Sequence, residues 1–184
     1  MQLLLLISRG IDAFTGAVGR LMGWAALLLV LIGVYNAITR YLGAMFGVQL
    51  AGNVWIETQT YLFNLIFLLG AAYLLSRDGH IRVDVLSSRF SARTRAWIDI
   101  VGTVFLLLPF CWLAIYYSWD YVLRSWAVLE QSPNPGGLPR YPIKTVIIVA
   151  FVLLMLQGVS EVIKRVAFLR GWRSTPTDAE GEKS

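Results

Sequence analysis

Four stretches of about twenty residues carry almost no charge, and this constrains the chain more than any other feature. Leu21 to Thr39 and Thr58 to Ser76 are 19 residues each, and Ile100 to Trp119 is 20. A fourth runs from Thr145 to about Ile163, with Glu161 near its end. A hydrocarbon layer ~30 Å thick is crossed by ~20 helical residues, so each stretch has the length of one span. The expectation is an all-α integral membrane protein with four transmembrane helices plus a short amphipathic interfacial segment. Residues 1–172 form a single four-helix domain, with spans at about 21–40, 54–76, 98–120 and 143–164. Residues 173–184 are polar and small and are expected to be a disordered cytoplasmic tail.

Composition excludes the alternatives. Hydrophobic residues make up 57% of the chain, against ~45–50% for soluble domains. Only 15% are charged. The net charge is +5, but Lys and Arg cluster beside the apolar runs, where they anchor a span to membrane lipid. No segment is polar enough for a nucleic-acid groove. The single cysteine, Cys111, cannot close an intrachain disulfide. The single histidine, His80, excludes a pair of axial haem ligands, and together the two make no zinc site. No cofactor and no metal is expected.

The apolar run Leu3 to Ile7, broken by Arg9, Gly10 and Asp12, is too short for a secretory signal core. A short interfacial helix leading into the first span is expected there. Pro109 and Gly70 fall inside spans, where neighbouring helices tolerate them. Trp97 at one end of the third span, and Trp119, Tyr121 and Trp126 at the other, sit at headgroup levels.

Four spans put both termini and the loop between spans two and three on one side. That side carries Arg9, Arg20, Arg77, Arg82, Arg89, Arg93, Arg95, Lys164, Arg165, Arg170, Arg173 and Lys183, twelve in all. The other carries four, Arg40, Arg124, Arg140 and Lys144. Positive charge accumulates in the cytoplasm, so both termini are expected there.

Connections differ in character. Tyr41 to Ile56 is uncharged and is expected to hug or dip into the outer interface. Pro133-Asn134-Pro135-Gly136-Gly137-Leu138-Pro139 is an irregular, turn-rich outer loop. Ser91 suits the N-cap of the third helix, and Pro142 starts the fourth. No internal repeat suggests a transport core within the chain.

Ionisable groups at membrane depth are the functional candidates. Arg40 ends the first span and Glu57 opens the second at similar depth. They are expected to form an ion pair tying the two spans together. The competing reading makes Glu57 a proton or cation site. Glu57, Tyr61 and Asn64 form an i, i+4, i+7 stripe that faces another helix, where the Asn64 amide would find an interhelical hydrogen bond. Gly70-Ala71-Ala72 allows close backbone approach.

Arg77 to Leu86, which includes His80, Arg82 and Asp84, alternates polar and apolar residues and then merges with a helical stripe through Phe90 and Trp97. This fits a segment lying along the membrane surface. A His80–Asp84 acid–base pair has no accompanying nucleophile or pocket, so no enzyme is expected.

At these residues the chain resembles the small membrane subunit of tripartite ATP-independent periplasmic (TRAP) transporters. The resemblance rests on Arg40-Tyr41, Trp55-Ile56-Glu57, Gly70-Ala71-Ala72 and Gly79-His80-Ile81-Arg82-Val83-Asp84, in that order and spacing. The family often places a second acidic residue after the first at the start of span two. Here Thr58 follows Glu57, so no role needing the pair is carried over. The resemblance implies a non-catalytic subunit of an ion-gradient-driven importer of organic acids. It implies two partners, a large multi-span permease and a periplasmic solute-binding protein, in the bacterial inner membrane. The alternative from the residues alone is a small proton-coupled exporter acting as a homodimer through Glu57.

Overall fold

The computed structural model describes residues 2–48, 52–77 and 91–171. Their regular structure is entirely helical: α1 (Gln2–Phe46), α2 (Asn53–Ser76), α3 (Ala92–Ala127) and α4 (Tyr141–Leu169). All four are long and apolar enough to cross a membrane. His80, Arg82 and Asp84, the expected interfacial segment around them, and the tail 173–184 lie outside the described residues.

The expected short N-terminal helix is instead continuous with the first span. α1 runs 45 residues without a break, or ~67 Å, about twice the hydrocarbon thickness. Gly10, Asp12 and Gly16 do not interrupt it, because the stretch from Ser8 to Thr15 packs on α4 and this burial outweighs weak helix propensity. At its other end α1 continues to Phe46, so the connection to α2 begins at Gly47, six residues later than expected.

α4 is the central helix, packed against α1, α2 and α3. α1 and α2 pack on each other as well, whereas α3 leans chiefly on α4. The result is a triangle of α1, α2 and α4 with α3 attached along one side. Large apolar side chains elsewhere face outward, such as Trp24, Phe67, Leu106 and Tyr117. That is an unfavourable surface in water and the natural one in a bilayer.

α3 begins where expected, with Ser91 Oγ accepting from the Thr94 amide at 3.2 Å. Within it, Thr103–Leu107 forms a π-helical turn directly before Pro109. Proline has no N–H, and its ring collides with the carbonyl four residues earlier. The wider turn accommodates both without ending the helix. α4 carries Pro142 in its first turn, where a missing N–H costs nothing.

Three contacts fix the register of α1 on α2. The Tyr35 and Trp55 rings meet edge to face at 4.8 Å. Gln59 Nε2 lies 3.1 Å from where a Gly33 Cβ would be. A Cβ on Gly19 would fall 2.3 Å from the Tyr73 ring. The tight backbone approach is therefore at Gly19. The expected one at Gly70 is absent, since a Cβ there meets nothing within 4 Å, although the neighbouring Ala72 is fully buried.

Candidate functional site: two polar clusters at opposite ends of the bundle

The first cluster joins the connection between α3 and α4 to the start of α2. α3 ends in a Schellman arrangement: Glu130 N–H donates to Ser125 O at 3.0 Å and Leu129 N–H to Trp126 O at 3.2 Å. Leu129 occupies the left-handed position with φ 45°, which glycine usually takes. This turn delivers Glu130 to Lys144, with which it forms an ion pair. Ser125 Oγ donates to the same carboxylate at 2.7 Å. Hydrogen bonds, first from Lys144 and then from Ser125, hold the Glu130 carboxyl below the usual range. Arg140 N–H closes the segment on Glu130 O at 2.8 Å.

Between these ends, Asn134-Pro135-Gly136-Gly137 makes a reverse turn closed by Gly137 N–H to Asn134 O at 3.0 Å, with Gly136 at φ +69°. Proline at the second position and a positive-φ glycine at the third are what a type II turn requires. The turn presents its donors to Glu57 of α2. Ser132 Oγ and Asn134 Nδ2 donate to Oε1, the latter at 2.8 Å. The Leu138 amide donates to Oε2 at 2.6 Å. Three prolines, Pro133, Pro135 and Pro139, leave this segment few amides for its own bonds, and the carboxylate takes one of those that remain. A Cβ on Gly137 would come 2.6 Å from Glu57 Oε2 and 2.5 Å from Ser132 Oγ, so only glycine fits against the carboxylate. Tyr61, one turn along α2, donates to Pro139 O at 3.1 Å. Asn53 Nδ2 reaches Pro135 O at 3.2 Å. The loop is thus strapped to α2 over more than two helical turns.

The second cluster lies at the opposite end, between α1 and α4. Ser8 and Ser160 share a hydrogen bond at 2.7 Å. Asp12 Oδ1 accepts from Ser160 Oγ and Gln157 Nε2, each at 2.9 Å. Lys164 Nζ lies 3.3 Å from Asp12 Oδ2 and also pairs with Glu161. Arg165 Nε stands 3.2 Å from Asp99 of α3, with Nη2 3.9 Å from Glu161. Gln157 and Ser160 are fully buried, and Lys164 and Arg165 nearly so. Three helices are therefore pinned by a network in which each carboxylate faces a cation.

Neither cluster has a free nucleophile, and among the described residues no group of His, Cys, Asp and Glu could hold a metal ion. Cys111 is buried and unpaired.

A family profile described as "Tripartite ATP-independent periplasmic transporters, DctQ component" matches residues 29–168. The chain belongs to the DctQ family. It is therefore the small component of a TRAP transporter, a multi-pass membrane protein of a transporter family. Neither a curated protein nor a solved structure matches it.

In this DctQ-family subunit the candidates part company. Glu57 and Tyr61 come together, but they meet a loop and not a helix. The expected Arg40–Glu57 ion pair does not form. The register of α1 on α2 sets Arg40 about five residues, or roughly 8 Å, beyond the level of Glu57. Arg40 is exposed on the part of α1 that outruns α2, with no carboxylate partner among the described residues. Asn64 is half-buried, and the expected interhelical hydrogen bond is absent among the described residues. Gly70 faces open space.

The Asp12 network is not among the expectations from the sequence, where Lys164 and Arg165 count as membrane-surface anchors. A signal was available. Ser8, Asp12 and Thr15 repeat at i, i+4, i+7 on α1, and Gln157, Ser160, Glu161 and Lys164 repeat at i, i+3, i+4, i+7 on α4. Two such polar stripes on apolar helices mark a buried interface.

Proposed function

We propose that this chain is a non-catalytic scaffold in a binding-protein-dependent TRAP importer of organic acids, driven by an ion gradient and working with a large permease subunit. Its place is the bacterial inner membrane, with both termini and the Asp12 network on the cytoplasmic side and the 128–140 loop on the periplasmic side. Residues 1–172 act as one membrane domain, and Arg40, Glu57, Tyr61, Asn64 and Gly70 serve structure or subunit contact.

The observation that carries this reading is the state of Glu57. A transport carboxylate must be able to exchange its ligand for an ion or a proton. Both Glu57 oxygens are taken by donors from the chain's own loop, so the group holds the fold together. The carboxylates of Asp12 and Glu161 are likewise occupied, by Lys164. This disfavours the stand-alone exporter working through Glu57.

The test is co-purification. Tagged on this chain and co-expressed with the large subunit of the same transporter, the pair is expected to stay together in mild detergent at a fixed ratio. Recovery of this chain solely as a homodimer, with the large subunit well expressed, would overturn the scaffold reading.

A further inference from the structure

Asn64 is the twelfth of the 24 residues of α2, so roughly 17 Å of helix separate it from either end. Hydrocarbon offers an amide no hydrogen bond, and asparagine lacks the long stem that carries a lysine to the headgroups. Most other polar residues of α2 have hydrogen-bond partners or lie near a helix end. Thr58 and Thr60 donate to the carbonyls four residues back, at 2.8 and 3.1 Å, and Ser76 donates to Tyr73 O at 2.7 Å. Glu57 and Tyr61 hold the loop. Gln59 lies within two turns of the helix end, against Gly33 of α1. Asn64 alone has unmet polar capacity at mid-span. It is half-buried, and beside it on the outward side stand Thr60, Phe63 and Phe67. The two phenylalanines are 57% and 69% exposed and stack with ring centroids 6.3 Å apart.

Resting on the scaffold reading above, we infer that this middle stretch of α2, with the Asn64 amide beside the Phe63–Phe67 ridge, is the docking surface for a transmembrane helix of the large permease subunit. That helix presents a backbone carbonyl or a polar side chain to the amide at mid-membrane. Acyl chains can cover the phenylalanines but leave the amide unbonded, and this separates a protein occupant from lipid. The outward Phe105 of α3, 70% exposed, has no such polar neighbour on its helix face and can be covered by acyl chains alone.

The test uses the co-expressed two-subunit complex. A photoreactive benzoylphenylalanine replaces Phe63, Phe67 or, on α3, Phe105. Adducts with the large subunit are expected from positions 63 and 67 and not from 105. Asn64→Leu is expected to lower the recovered complex about fivefold, the worth of one interhelical hydrogen bond in a membrane, while the melting temperature of the isolated chain is unchanged. The inference is overturned if the large subunit co-purifies but positions 63 and 67 cross-link only to lipid or to a second copy of this chain. It is equally overturned if Asn64→Leu leaves recovery unchanged. If the unsubstituted chain fails to co-purify with the large subunit, the scaffold reading falls first, and the inference with it.

Discussion

Lys164→Met is expected to destabilise the chain by about 3 kcal/mol, the cost of removing one member of a buried ion pair and leaving the other uncompensated. Lys164 stands between Asp12 of α1 and Glu161 of its own helix, with its side chain 9% exposed. Methionine replaces the stem but not the charge, so two carboxylates at the α1–α4 contact face each other without the ammonium between them, with Arg165 3.9 Å from Glu161. Asp12→Asn should cost less, because Lys164 keeps Glu161 and the amide oxygen can still accept from Ser160. The double change should be less than additive, as expected for groups in one network. Thermal unfolding in detergent measures all three. An unchanged melting temperature for Lys164→Met would mean that these charges are solvated and pin nothing.

The second large effect is expected in the strap over α2. Glu57→Gln turns one acceptor oxygen into a donor and sets an N–H against at least one of the Ser132, Asn134 and Leu138 donors. Amide exchange across residues 128–140 should accelerate on the order of tenfold, since each lost charge-assisted bond is worth about that factor. Peptides from the α1–α4 contact at Ser8 to Thr15 should be unaffected. Gly137→Ala reaches the same end by another route, because its methyl group would occupy the space of the carboxylate. Agreement between an electronic and a steric perturbation would establish that the loop is held by this one group. Unaltered exchange in both variants would leave the loop held by Glu130, Tyr61 and Asn53.

What the sequence made legible follows from which distances are local. Span number and span length depend on composition over about twenty residues, and all four spans fall within helices of the structure. The Ser91 cap and the proline at the start of α4 are set by neighbours within one turn, and both formed as read. Register between helices is not local. Arg40 and Glu57 looked level on the assumption that α1 stops near its last charge, but α1 continues for more than a turn, and the Gly19–Tyr73 and Tyr35–Trp55 contacts slide Arg40 past its expected partner. The true partners of Glu57 lie 75 to 81 residues away, in a segment that reads only as a turn. Its readiness to donate comes from three prolines that deprive it of internal bonds, a feature visible in the sequence but without a target. The Asp12 network was hidden for a different reason. Counting Lys164 and Arg165 toward membrane sidedness treats charge as a surface property, and the helical periodicity of their polar neighbours says otherwise.

The central claim is that this chain supports transport and performs none by itself. It is tested most directly in proteoliposomes that contain this chain alone, or this chain with the large permease subunit, each supplied with the binding protein and a radiolabelled organic acid under an imposed sodium or proton gradient. The account predicts uptake above the external concentration only when the large subunit is present, and background accumulation with this chain alone under either gradient. Concentrative, gradient-dependent uptake by this chain alone would contradict it.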